Sequence, residues 1–162
     1  MMYAGDAAEA RGAQLRHLTW PEPTPGPDDA GFGDWVRERV DLTGASLVIG
    51  KSMGSCAAPL AADLGVPAVW LTPLLPWHGI ADGLRRATAP FLLIGGTADQ
   101  SWDGPLAREL TPHVLEIDGA DHGMYVKGPL AASAAVLGLV ATAVERFLDE
   151  VVWPAGGSEG GR

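Results

Sequence analysis

At 162 residues the chain is short enough to be one domain and long enough to bury a single core. Hydrophobic residues make up 47% of it and mean hydropathy is +0.11, which excludes a disordered polymer. The formal net charge is −9 with no basic stripe, so a nucleic-acid partner is not expected. A single cysteine, Cys56, excludes an internal disulfide and fits a reducing cytoplasm.

The first residues, Met1 to Asp6, have neither the basic start nor the apolar core of a signal peptide. Residues 2–12 read as a helix that Gly12 ends. Residues 14–20 alternate around Leu15, Leu18 and Thr19 and read as a strand. Four prolines and three glycines make residues 21–33 a loop. Asp34 caps or opens a second helix to about Leu42. Residues 47–50 form a short apolar strand, and 53–64 a small-residue helix stopped by Gly65. A buried strand at 66–71 leads through a loop at 73–79 to a short helix at 80–87. Strands at 91–94 and 114–117 flank a helix at 102–110. The final helix, 130–151, carries Val136, Leu137, Val140, Val144, Phe147, Leu148 and Val151 on one stripe. Ser133, Gly138 and Thr142 interrupt its most apolar part, about 130–144, which reads as too short to span a bilayer, so no membrane partner is expected. From Pro154 onward a glycine-rich tail is expected to fray.

Strands alternate with helices throughout. That order predicts one α/β domain over 1–153 with a tail at 154–162. Its architecture is a three-layer α/β/α sandwich on a mostly parallel sheet of about five strands.

The strand at 47–50 runs into Gly50-Lys51-Ser52-Met53-Gly54, and a helical run leaves it. G-x-S-x-G between strand and helix is the pattern of a nucleophile elbow. The tight turn brings backbone close on both sides of the serine, so hydrogen is expected at Gly50 and at Gly54. With 22 glycines and six serines in the chain, about 0.1 accidental matches are expected, and the flanking strand and helix lower that figure. A P-loop ending in Gly50-Lys51-Ser52 fails on spacing. Its first glycine would have to stand at Ala45, and residues 46–49 read as strand.

In a parallel sheet, chemistry gathers at the carboxyl ends of strands. Gly95-Gly96-Thr97-Ala98-Asp99 follows the strand at 91–94, and Asp118-Gly119-Ala120-Asp121-His122-Gly123 follows the strand at 114–117. Together with the elbow these turns give Ser52, Asp99 and His122 in chain order. Elbow and turns resemble those of small, lidless bacterial α/β-hydrolases, over roughly residues 14–148. The abundance of alanine, and nine arginines to two lysines, point to GC-rich coding and agree with a bacterial source. The resemblance implies acyl transfer from a small-molecule ester or thioester, with Ser52 as nucleophile, His122 as general base and Asp99 orienting the imidazole. It also implies that the Met53 amide donates to the oxyanion, and it calls for no cofactor or metal. The oligomeric state stays open.

Each residue has a plainer reading. Ser52 fits an ordinary turn, Asp99 an Asx turn after two glycines, and His122 a loop histidine. Asp103 is a second acid in the same turn as Asp99, and it also suits the start of the following helix. His17 lies within a predicted strand and His113 at a strand entrance, the wrong end for catalysis. His78 follows the third strand and is a candidate to overhang the site. Trp77 and Trp102 are candidates to line an acyl or alcohol pocket, or to cover the core. Ser55 and Cys56 lie past the elbow, and Cys56 reads as a small buried residue. The resemblance also has a gap. In these hydrolases a strand and a glycine-rich loop supplying a second oxyanion donor precede the first helix, and no such strand is expected before Tyr3. Either the chain is a shortened form, or the strands at 14–20 and 47–50 close up and pair directly.

Overall fold

The computed structural model describes residues 2–20, 25–26, 29 and 31–154. Most of the expected loop at 21–33, and all of the expected tail beyond Pro154, lie outside the described residues. Four strands are present among them: β1 (Val48–Lys51), β2 (Ala68–Leu71), β3 (Phe91–Gly96) and β4 (Val114–Ile117). They form one fully parallel sheet in the order β1-β2-β3-β4. The register aligns Gly50 with Trp70, Trp70 with Leu93 and Gly96 with Ile117, so the carboxyl ends of the strands share one rim.

Alternation along the strands splits the core in two. Ala68, Trp70, Phe91 and Leu93 face one apolar cluster, beneath α2 (Phe32–Arg37), α3 (Ala58–Asp63), α4 (Ile80–Arg85) and α5 (Gly104–Leu110). Val69, Leu71, Leu92 and Ile94 face the other, beneath α1 (Met2–Glu9) and α6 (Leu130–Phe147). Both central strands are buried along their whole length, which is why their sequences are continuous apolar runs.

Several expectations need correction. The sheet has four strands, not about five, because residues 14–20 take no part in it. A strand needs a neighbour for its amides and carbonyls. Here a cleft of about 470 Å³ separates Leu15, His17 and Trp20 from Leu47, Ile49 and Lys51 on the outer edge of β1. The segment is held by side chains instead: Leu15 packs on the second cluster, Trp20 lies 6.0 Å from Trp35, and Arg16 reaches Asp41 at 3.6 Å. So the two segments do not close up and pair.

The helix expected over 53–64 is split. A 3-10 turn over Ser52–Ala57 precedes α3, because Pro59 in the first turn of α3 has no amide to bond back to residue 55. The helix expected from 102 starts at Gly104, since Asp103 caps it and Pro105 occupies its first turn. Asp34 lies within the first turn of α2, and the residue that caps that helix is Gly31. By length and composition alone the whole stretch Leu130–Val152, 23 residues, is long and apolar enough to cross a bilayer, because the helix extends beyond the run of about 130–144 that reads as too short. In this fold its Val136, Val140, Val144, Phe147 and Leu148 are buried in the second cluster, while Leu130, Leu137 and Leu139 are exposed.

Ile94 is fully buried within β3, whereas Leu139 on α6 is 53% exposed. Ile94→Ala is therefore expected to cost about 2–5 kcal/mol in urea unfolding, and Leu139→Ala about 0.5 kcal/mol or less.

Candidate active site

The site starts from a turn that only close packing permits. β1 ends at Lys51, and Ser52 takes φ 51°, a left-handed conformation uncommon outside glycine. Three contacts hold it there. A methyl group added at Gly50 would lie 2.5 Å from the Trp70 ring and 3.1 Å from the Gly54 backbone, so the indole fills the room that Gly50 leaves. The Ser55 hydroxyl, fully buried, donates to the Ser52 carbonyl at 2.6 Å. The same oxygen accepts the Leu74 amide at 3.0 Å, tying the elbow to the loop after β2. Gly54 differs from expectation: a methyl there meets nothing within 4 Å outside its own turn. Hydrogen is required on one side of the serine, at Gly50.

The turns after β3 and β4 are joined to each other. The Thr97 amide donates to the Ile117 carbonyl and the Ala98 amide to the Ala120 carbonyl, both at 3.0 Å. The Thr97 hydroxyl donates to Asp118 at 3.0 Å and accepts the Gly119 amide at 2.7 Å. Gly96 leaves the space in which the Ala120 carbonyl sits. Within the second turn, Asp121 accepts the amides of Gly123 at 2.8 Å and Tyr125 at 2.9 Å, which shapes the loop that carries His122.

These loops bring three distant side chains together. His122 Nε2 lies 2.7 Å from Ser52 Oγ, and His122 Nδ1 lies 2.8 Å from Asp99 Oδ2. The other oxygen, Asp99 Oδ1, accepts the Ser101 amide at 2.9 Å and the Ser101 hydroxyl at 2.6 Å. Ser101 Oγ also lies 3.1 Å from His122 Nδ1. Asp99 is acceptor-only when ionised, so the network puts the imidazole proton on Nδ1 and leaves Nε2 to accept from Ser52. The Asp99 side chain is 3% exposed, the His122 side chain 41%. The carboxylate is thus shielded from water, and the imidazole is partly open to it.

Met53 follows the serine at the head of the 3-10 turn, whose first amides have no partner within the helix. The other candidates fall elsewhere. Asp103 accepts the Leu106 amide at 2.9 Å as the cap of α5. His78 packs on Phe32 at 5.1 Å, His113 packs on Phe147 at 5.3 Å, and His17 lines the cleft beside β1. Trp102 donates to Glu116 at 2.7 Å and covers Gly95, while Trp77 is exposed. Cys56 is fully buried in the first cluster, and burial pushes its thiol up to about 11. Ser101 and Ser55 went unrecognised in the sequence. The only hint was a serine two residues beyond Asp99, the offset at which an Asx carboxylate meets the chain.

Two outcomes follow from this packing. Gly50→Ala is expected to unfold well below the parent temperature because its methyl strikes the Trp70 ring, whereas Gly54→Ala keeps the parent melting temperature within a few degrees, as a calorimetric scan would show. Cys56 is expected to ignore a disulfide reagent at pH 8 in the native protein and to react fully in denaturant.

No family model matches the sequence, and no curated protein sequence matches it. Solved structures do. An α/β serine hydrolase homologue from Coxiella burnetii has a TM-score of 0.57 at 18% identity, over 91% of this chain and 74% of that one. A lidless α/β serine hydrolase from Xanthomonas campestris has a TM-score of 0.53 at 18% identity, over 90% of this chain and 72% of its own. The chain has an α/β-hydrolase-like fold, with four parallel strands among the described residues.

Proposed function

We propose that this chain is a serine hydrolase acting on a carboxylic ester or thioester, with a small-molecule substrate and a cytoplasmic location. The observation that carries the reading is the continuous line of hydrogen bonds from Ser52 through His122 to Asp99. In the first step His122 Nε2 takes the Ser52 proton as Oγ attacks the acyl carbon. Negative charge gathers on the former carbonyl oxygen, and the Met53 amide donates to it. Collapse expels the alcohol or thiol, which receives the proton from His122 and leaves an acyl-serine ester. Water then attacks that ester, with His122 again as base, and releases the acid and the free hydroxyl. Asp99 holds the imidazole in the required tautomer and stabilises the cation that each step forms. This chemistry calls for no cofactor or metal.

A second reading has its own observation. The outer edge of β1, next to the elbow, faces the cleft and has no strand neighbour among the described residues. In the resembling hydrolases the second oxyanion donor comes from that side. Loss of one such donor costs about 2.7–4 kcal/mol, or 10²–10³ in rate. On this reading the domain is catalytically weak and serves in binding or structure. Ester turnover by the 162-residue chain at an ordinary enzymatic rate, abolished by Ser52→Ala, eliminates it.

A fluorophosphonate probe is expected to label the folded protein at one residue, and Ser52→Ala to lose the label. Asp99→Asn is expected to lower kcat by roughly 10⁴ with the fold intact, because the amide favours the wrong tautomer. Labelling that survives Ser52→Ala refutes the assignment.

A further inference from the structure

The position before the serine is occupied by a lysine whose ammonium is hydrogen-bonded within the protein. Lys51 Nζ donates to Thr72 Oγ1 at 3.1 Å and to the backbone carbonyl of His122 at 3.1 Å. Thr72 is fully buried just past the end of β2, at φ 42°, and its amide donates to the Ile94 carbonyl at 2.7 Å. One ammonium therefore joins the ends of β1 and β2 to the loop after β4. That loop already has its own shape, since Asp121 holds the Gly123 and Tyr125 amides. What those bonds leave undetermined is how far the loop sits from Ser52. The Lys51 bond ends on the peptide of His122 itself and so fixes the base of its side chain.

We infer that Lys51 is a positioning residue, which sets the His122 imidazole at its working distance from Ser52 by holding the His122 carbonyl against Thr72. This rests on the hydrolase reading above for its kinetic consequence, but its geometric content stands apart from turnover. Burial lowers the Lys51 ammonium from its usual range, and the carboxylates of Asp99 and Asp121 oppose that shift. A lysine merely covering the surface would have no cause to accept such a desolvation cost. The ammonium also lies on the carbonyl side of the histidine, so it competes with neither ring nitrogen.

The test compares Lys51→Met, which keeps the aliphatic stem and loses the donors, with Lys51→Arg, Thr72→Val and the Lys51→Met/Thr72→Val pair. Two readouts are taken: the fluorophosphonate rate constant at Ser52 together with kcat and KM for a small ester, and the downfield proton resonance of His122 Nδ1–H. Lys51→Met is expected to lower the labelling rate and kcat by on the order of 10²-fold, with KM changed about twofold or less. It is also expected to shift or broaden the Nδ1–H resonance. Lys51→Arg restores part of the rate. The double variant loses no more than Lys51→Met alone, because both members belong to one unit. Parent rates and an unchanged resonance in Lys51→Met overturn the inference. So does a kcat loss accompanied by an unmoved resonance. If the parent protein itself takes no label at Ser52, the hydrolase reading falls, and the resonance in Lys51→Met alone decides the positioning role. Should Lys51→Met fail to fold, Thr72→Val carries the same two readouts, with an unmoved resonance and rate as the overturning result.

Discussion

The left-handed turn at Ser52 is the constraint on which the remainder depends. A serine at φ 51° is held against its own preference, and such strain persists only where neighbours over-determine it. Here they do. The Trp70 ring fills the room Gly50 leaves, and the buried Ser55 hydroxyl clamps the Ser52 carbonyl. Relaxing that turn would swing Oγ off the rim of the sheet, and the other two side chains would have nothing to meet.

Convergence at the rim is a property of the parallel sheet. Ser52, Asp99 and His122 each lie just beyond the carboxyl end of a different strand, so a shared register delivers them to one place. The hydrogen bonds between the turns after β3 and β4 then hold those two turns against each other. Burial divides the labour between the groups. Asp99 is enclosed, with both oxygens accepting, and its charge acts at short range on one imidazole. His122 is half open, as the proposed proton transfer to an incoming molecule requires.

Much of this was legible in the amino-acid sequence because it was written in short-range chemistry. Gly-Lys-Ser-Met-Gly after an apolar run announces the elbow, and an acid and a histidine each follow a strand. The apolar runs expected as strands at 66–71 and 91–94 do form strands, buried along their whole length. The misreadings come from longer range. Residues 14–20 have strand-like alternation, but whether they pair depends on a neighbour that no local pattern encodes. Gly54 looked indispensable by motif, yet the space beside it is empty, because Trp70 crowds one side of the turn only. Lys51 gave no signal, since its partners, a buried hydroxyl on the next strand's loop and the His122 carbonyl, are set by tertiary structure.

The proposed function requires one hydroxyl in this chain to form a covalent acyl intermediate. The most direct measurement is peptide mapping by mass spectrometry after the native protein is mixed with an activated ester and quenched in acid within the first turnover. A single acyl group, carried on Ser52, is expected. An acyl group found only on Lys51 or Cys56, or none at all on a protein shown to be folded, would contradict it.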